Sequence, residues 1–379
     1  MNKKLVAVAV AGLLAAPLAA QAQTANVTLY GRLNLSLEAI SGRAVDPNLP
    51  ATAAPVKRTI YKVGSNSSRL GVRGTEALGG GLSAIFQIES GVNGESGGSA
   101  TVASRDTFAG LQGPWGTAKV GFFLQPYDDL HGIFGNVPTL LTGILATSAL
   151  WAQGTQSTDN GGFDNRQPNS LRYDSPRIAG FVGSVQVSGF DTVAAAGQSL
   201  AQQQRHAYNL STVGIYANGP IQVGLGYEVH NKVRGVSLDD QAVTIAGSYN
   251  FGIVKVGGMY ERLDYDTATG SLKRNDWGIG VTVPVGPGEL YAFYGRAEDG
   301  KGGAATGTTV GQISKGSDTG ASQWEVSYTY ALSKRTLTYV GFVQVANDKN
   351  AAYNLVASPI TPVKDSNVSG FVAGFVHFF

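Results

Sequence analysis

The chain ends on Phe379, which closes an alternating stretch from Val368 (VSGFVAGFVHFF) whose residues Phe371, Ala373, Phe375, His377 and Phe379 share one face. Successive side chains of a strand point to opposite sides, so this is a strand with an apolar, aromatic-ended face. A soluble sheet ending on such an edge invites further pairing and aggregation. In a bilayer an open edge is worse, because nothing there satisfies its backbone groups, and a spanning sheet has to close on itself. The stretch Asn26 to Ile40 (NVTLYGRLNLSLEAI) alternates in the same way and supplies the partner. The two ends predict a closed, antiparallel, membrane-spanning β-barrel.

The same period of two recurs between them. Ile221, Val223, Leu225, Tyr227 and Val229 alternate with Gln222, Gly224, Gly226, Glu228 and His230; Trp324, Val326, Tyr328 and Tyr330 alternate with Glu325, Ser327 and Thr329. Phe181, Val185 and Val187, and Leu337, Tyr339, Gly341, Val343 and Val345, give two further lipid-like faces. The breaks between segments come in two kinds. Short ones, such as Glu76–Gly80, Gly113–Gly116, Asn218–Gly219 and Ser333–Arg335, alternate with long ones, such as Ser41–Asn66, Gly91–Ser104, Leu124–Pro168, Asp264–Lys273, Asp299–Thr319 and Asn347–Asn367. Short periplasmic turns facing long extracellular loops are the layout of an outer-membrane barrel, and the segments predict about sixteen strands. A β-sandwich would explain the alternation but not the asymmetry of the loops.

Residues 1–22 read as a signal peptide: Lys3 and Lys4, the apolar run Leu5 to Ala16, and the cleavage signal Ala20-Gln21-Ala22. The mature chain is then a single barrel domain, 23–379, with no second domain. Removing Lys3 and Lys4 takes the formal charge from +2 to zero, and without a basic run there is no nucleic-acid partner to expect. Glycine, at 52 of 379 residues, suits tight hairpins and close packing in a sheet. Cysteine is absent, which removes disulfides, thiol catalysis and thiolate metal sites.

No motif points to a cofactor or to catalysis. Gly295 to Lys301 has the spacing of a phosphate loop, but Gly302 stands where a magnesium-binding hydroxyl belongs and no helix follows. Asp264, Asp266 and Gly270 fall short of the full calcium-loop pattern. His131, His206, His230 and His377 are scattered singly, and no G-x-S-x-G occurs.

Parity sorts the charged residues. With Leu29, Leu33, Leu35 and Leu37 facing lipid, Tyr30, Arg32, Asn34 and Glu38 face the lumen; Arg69 and Arg73 follow from Leu70 and Val72 facing out. Phe108 outward puts Arg105 inside, Val120 and Phe122 outward put Lys119 inside, and Leu171 and Tyr173 outward put Arg172 inside. A charge at mid-bilayer on the lipid face costs about 2–4 kcal/mol, which makes inward placement nearly obligatory. Glu89, Glu228 and Glu325 are placed inward too. Phe122, Tyr227, Trp277, Tyr328, Tyr330, Tyr339 and Phe379, with Tyr30 as a further candidate, fit interfacial aromatic girdles.

The opening VTLYGRLN, then SSRLGVRGTEALGGGLSAIFQIESGV, RDTFAGLQGPWGTAKVGF, NSLRYDSP, YALSKRTLTYVGF and the ending GFVHFF resemble the Gram-negative general porins of β-proteobacterial type over nearly the whole mature chain. The wording departs from that family at FFLQPYDDLHGIFG. The resemblance implies a sixteen-stranded, homotrimeric, water-filled channel in the outer membrane, passing small hydrophilic solutes and ions without a cofactor. It also implies a third loop folded into the barrel and a ladder of arginines opposite it, carried here to Arg69, Arg105 and Arg172, with Arg32, Arg73 and Lys119 nearby. Phe375, His377 and Phe379 resemble the signal read by the insertion machinery, and lipopolysaccharide and other outer-membrane lipid are the surrounding partners. The third loop is Leu124–Pro168, with Asp128, Asp129, Asp159 and Asp164 as its acids and Asp128 and Asp129 as the pair expected to face the arginines. Its apolar run Val137–Trp151 is expected to pack inside the wall as a short helix. The surplus of wall cations predicts weak anion preference, against which the inward glutamates count. A substrate-selective carboxylate or phosphate channel, an adhesin barrel and a hydrolase on the same fold are the alternatives.

Overall fold

The computed structural model describes residues 26–47, 50, 53–97, 101–136, 138, 143–153, 162–189, 207–235 and 237–379. The expected signal peptide, Asp159 and His206 lie outside them. Before the long third loop come β1 (Asn26–Ala44), β2 (Val56–Ser65), β3 (Arg69–Gly79), β4 (Leu82–Gly91), β5 (Thr107–Gly113) and β6 (Gly116–Leu124). After it come β7 (Arg166–Asp174), β8 (Phe181–Ser188), β9 (Tyr208–Asn218), β10 (Ile221–Asn231), β11 (Asp239–Asn250), β12 (Lys255–Thr267), β13 (Gly270–Val285) and β14 (Gly288–Ala297). A small loop hairpin, β15 (Thr309–Val310) and β16 (Ile313–Ser314), precedes β17 (Ala321–Ser333), β18 (Thr336–Asn347) and β19 (Val368–Phe378).

Neighbours in sequence pair antiparallel all the way round, and β1 closes the ring on β19 from Arg32 opposite Phe378 to Ser41 opposite Ser369. At the seam Phe379 exchanges both backbone hydrogen bonds with Gly31, at 2.9 and 3.1 Å. A β-carbon on Gly31 would meet the Phe379 ring and, at 2.7 Å, the Arg69 backbone carbonyl, which favours glycine there. Leu37, Phe371 and Phe375 are exposed on the outer face of this seam, as the alternation predicts.

β1 is shared between two partners. Its first part pairs with β3 and its last part with β2, so β2 and β3 form one barrel strand interrupted at residues 66–68. The interruption keeps the backbone satisfied: Ser68 Oγ accepts from the Asn34 amide at 2.9 Å and donates to the Asn34 carbonyl at 3.1 Å. Counted this way the barrel has sixteen strands. Two of the expected long loops are largely strand. The chain expected to loop over Ser41–Asn66 carries the end of β1 and all of β2, and Asp264–Lys273 is a tight hairpin joining β12 to β13. These strands continue into water, where polar pairs such as Asp264 with Lys273 at 2.8 Å suit them.

Two orientations differ from the parity reading, and Tyr30 keeps its inward parity but loses its place in the girdle. On β18, Tyr339, Val343 and Val345 are buried and point inward, and Val340 is the exposed one. The reason is that the interior of this sector is filled: Ile144 and Leu145 of the third loop and Tyr353, Leu355 and Ile360 of the loop after β18 pack there. With apolar matter on both sides of the strand, polarity cannot mark its faces. Tyr30 donates to Glu89 at 3.0 Å inside the barrel and is no girdle residue. Phe108 also points inward, its ring 5.1 Å from Lys119 Nζ and 6.1 Å from Phe123, while Leu111 is exposed. Arg105 reaches the lumen because it precedes β5, so strand parity does not govern it. Phe123 points inward at the parity of Lys119, and between Gly121 and Phe123 the ladder to β7 slips by one residue, with Gly121 at a φ of 150°, a glycine conformation.

Deleting Phe379 removes both seam hydrogen bonds and the ring that covers Gly31. The expected outcome is normal export with a loss of inserted, heat-resistant barrel, measured as outer-membrane yield. An undiminished yield would contradict this reading of the seam.

Candidate functional site

The third loop leaves β6, packs along one side of the barrel and crosses to another. Pro126–Leu130 forms a 3₁₀ turn and His131–Phe134 a single α-turn. Leu130, Ile133 and Phe134 lie against inward glycines. A side chain on Gly226 would meet Leu130 at 2.6 Å, and one on Gly280 would meet the Phe134 carbonyl at 2.7 Å. The loop then reaches the opposite wall, where Leu145 and Ile144 sit over Gly341 and Gly370. From there Thr147–Gln153 returns as short 3₁₀ turns to the β10–β13 wall. Within the expected apolar segment, residue 137 and residues 139–142 lie outside the description; its remainder packs inside the wall as 3₁₀ turns, not as an α-helix.

A buried polar knot holds this path. Glu261 of β12 is fully buried and accepts the Ala152 amide on both oxygens, at 3.0 and 3.1 Å. It also accepts Tyr127 Oη at 2.9 Å, and Arg274 Nη2 lies 3.4 Å away. Arg274 donates in turn to the Leu150 carbonyl at 2.5 Å. Ala152 and Gln153 both have left-handed φ values, 53° and 61°, a local strain offset by the charge-assisted bonds to Glu261. Around the knot Tyr127 stacks on Trp151, with centroids 5.6 Å apart and planes at 3°, and His131 packs against Trp151 at 5.0 Å. His131 bonds Thr147, and burial drives its imidazole down to about 4, which keeps it neutral at ordinary pH.

The sector beside this packing carries the charges. Tyr30, Arg69 and Arg105 converge on one carboxylate, Glu89, at 3.0, 3.4 and 2.7 Å. Arg32 lies within the field of Arg69 and Arg105 and donates to the Ser67 carbonyl at 2.8 Å. Arg73 is exposed, with its guanidinium carbon 4.8 Å from the centre of the Tyr30 ring. Farther round, Arg172 binds Asp129 and Asp174, each at 2.7 Å, and Lys119 lies 3.5 Å from Asp174. Arg166 pairs with Asp106 at 2.6 Å, a cation that parity passed over because it opens β7 beside the loop. Arg32, Arg69, Arg73, Arg105, Lys119, Arg166 and Arg172 thus outnumber Glu89, Asp106, Asp129 and Asp174 on this side.

The two loop acids differ. Asp129 touches Arg172, whereas Asp128 faces Asp164; burial and then the Asp128 charge hold the Asp164 carboxyl well above the usual carboxylate range. The inward glutamates divide as well. Glu89 sits among the arginines, Glu38 pairs with Lys62 at 3.3 Å, and Glu228 and Glu325 are buried behind the loop. Glu228 holds His230 at 2.7 Å, under the ring of Phe163 at 4.5 Å. Sequence reasoning missed Glu261 and Arg274. Their signal was present: Glu261 and Arg274 lie diagonally across adjacent strands at inward parity, with Asp276 directly opposite Glu261 needing a cation beside the two acids.

Comparison with known proteins agrees with this geometry. The family model for Gram-negative porins matches residues 7–350. Outer membrane porin protein 32 of Delftia acidovorans is 28% identical, with 95% of this chain and 94% of that protein covered. The major outer membrane protein P.IB of Neisseria gonorrhoeae is 27% identical over 77% of this chain and 73% of its own length. Among solved structures, an anion-selective porin from Comamonas acidovorans superposes with a TM-score of 0.71 at 25% identity, covering 94% of this chain and 100% of that one.

Replacing Glu261 by alanine removes the acceptor of the Ala152 amide and the Tyr127 hydroxyl and leaves buried Arg274 only Asp276, 3.9 Å away, a change worth about 3–5 kcal/mol when a buried pair is broken. The expected outcome is a released third loop: protease cutting within it and a larger, noisier single-channel current, with Glu261→Gln intermediate. Unaltered currents and protease resistance in Glu261→Ala would contradict the anchoring role.

Proposed function

The chain belongs to the Gram-negative porin family and forms an outer-membrane channel, and on that premise we propose that its basic sector is the path of permeation. Small hydrophilic solutes and ions diffuse through it down their gradients, with a weak preference for anions. A pore has to replace the hydration a solute gives up. Guanidinium groups in a row offer fixed donors to a carboxylate, a phosphate or chloride along the way. The observation that carries this reading is the ratio of charges in this sector: Arg69 and Arg105 pair with the single carboxylate Glu89, and Arg32 lies in the field of all three. The remaining positive potential attracts anions without holding them, since Glu89 and the tyrosine beside it already occupy part of the donor set. Arg172 and Asp129 mark where the loop meets the wall, and Arg73 and Lys119 extend the basic surface. Asp128, turned to Asp164, shapes the loop root more than the field.

The protein acts as a homotrimer, with residues 1–22 removed on export. Phe375, His377 and Phe379 are read by the insertion machinery, and the finished barrel is surrounded by outer-membrane lipid, including lipopolysaccharide. No chemistry is catalysed; the family and the fold are those of channels.

The test is the reversal potential of purified protein in a planar bilayer under a KCl gradient. The wild type is expected on the anion-selective side. Arg69→Glu with Arg105→Glu is expected to move it to the cation-selective side. About 1 kcal/mol, the energy of one unit charge at 4 Å in water, changes a permeability ratio roughly fivefold. Cation selectivity in the wild type, or no change on reversing both arginines, would overturn the assignment of the path.

A further inference from the structure

The third loop is held by the outer loops as well as by the barrel wall. Gln153, the buried residue after Ala152, donates from its side-chain amide to Tyr265 Oη at 2.8 Å. Its side-chain oxygen accepts the backbone amide of Gln312, at the turn of the β15–β16 hairpin, at 2.8 Å. Gln312 Oε1 accepts in turn the amide of Asn354, in the loop after β18, at 3.0 Å. Val310 and Ile313 of the hairpin belong to one apolar cluster with Trp151 and Ala152. The centre of the Tyr353 ring, from the last loop, lies 5.7 Å from the Arg274 guanidinium carbon. β15 and β16 are two residues each. A hairpin that short is not stable by itself, so these contacts fix its place, and its place helps to fix Gln153.

What the loop covers differs in charge from what it leaves open. Each strand from β10 to β13 carries one fully buried carboxylate at inward parity: Glu228, Asp240, Glu261 and Asp276. The cations that face them are Arg274 beside Glu261, Arg234 on Asp240 and His230 on Glu228; Lys255 lies at the periplasmic end beside Glu289. Glu261 holds the loop. Asp276 does not: both its oxygens lack a hydrogen bond among the described residues, and Arg274 stands 3.9 Å away. Burying such a group costs stability, and packing an apolar loop gives no reason for it. The open sector has its surplus in arginine, the covered one in carboxylate.

We infer that the β15–β16 hairpin latches the third loop over a second conduit, one that passes small cations. When Gln153 parts from Gln312, the outer side of Leu150–Gln153 is free, and the left-handed turn at Ala152 and Gln153 has a strain to relieve. Water then enters behind the loop. The carboxylates it reaches are charged once hydrated, and a row of them attracts cations as acidic rings do in cation channels. Gln153 and Gln312 are thus positioning residues: latched, the channel uses the basic sector; unlatched, it adds an acidic one. The inference rests on the anion path proposed above for the contrast in sign.

The test uses the full-length protein, with Gln153→Ala and Gln312→Ala each first checked as a heat-resistant barrel. Gln312 lies in an outer loop, so its variant keeps the test readable should the buried one fail to fold. Single channels are recorded in a planar bilayer under a KCl gradient. Both variants are expected to show brief openings above the wild-type level, and the added current is expected to reverse on the potassium side of the wild-type value. Adding Asp276→Asn to either is expected to keep the openings and pull their reversal back toward the wild type. A loop that merely loosened over a neutral wall would add current without that shift. No added openings in the folded variants would overturn the latch. Added openings that reverse at the wild-type value or on its chloride side, or that Asp276→Asn leaves unshifted, would overturn the acidic conduit. The sign of the wild-type potential tests the basic path alone, and the difference between variant and wild type tests the latch.

Discussion

Backbone amides at membrane depth have no water to bond, and the ladder between β1 and β19 is where this chain meets that demand. Remove it and two long strands expose unpaired edges to lipid; keep it and sixteen strands form a closed wall. Phe379 completes the ladder on Gly31 and is part of the closure. The outward residues at membrane depth then belong to lipid, and charged side chains such as Arg69, Glu89, Lys119 and Arg172 are directed into a confined interior.

That interior is divided by how it is filled. From β10 round to β14 the wall presents glycines and a buried acid–base pair, and the third loop lies down on them. Its backbone approaches where Gly280 and Gly257 have no side chain, and Glu261 takes the Ala152 amide that the left-handed turn directs at it. The loops after β14 and β18 close over the same half, with Ile313 and Tyr353 in the packing. The charge-lined sector from β1 to β7 is what this leaves for water and solute. Position of the loop and polarity of the conduit are therefore one fact: the loop is apolar and hydrogen-bonded where it meets the wall, and among its described acids Asp129 is the one paired with Arg172.

Much of this was legible in the residues. Period two with lipid-like faces gave the barrel, because outside this wall there is only lipid and the outward positions must be apolar. Arg69, Lys119 and Arg172 sit at inward parity for the same reason, whereas Arg105 reaches the lumen from the loop before β5 although Phe108, from which it was placed, points inward too. What escaped lay where the inside is not water. Tyr339, Val343 and Val345 look lipid-facing by polarity, and they face an apolar loop instead. Phe108 and Phe123 pack on each other beneath Lys119, so aromatic bulk on β5 does not mark its lipid face. The anchor of Glu261 and Arg274 joins residues far apart in sequence, and no local pattern announces which part of a long loop an inward glutamate will hold.

The central claim is that one half of the barrel is packed and the other conducts. It is tested most directly by thiol accessibility, since the chain has no cysteine of its own. Arg69→Cys stands in the basic sector, and Ser211→Cys replaces a fully buried hydroxyl that accepts the Tyr127 amide behind the loop. An anionic methanethiosulfonate added to single channels should modify the first quickly and step the conductance down, and leave the second untouched. Rapid block through both positions would show that solute reaches behind the third loop and would contradict the account.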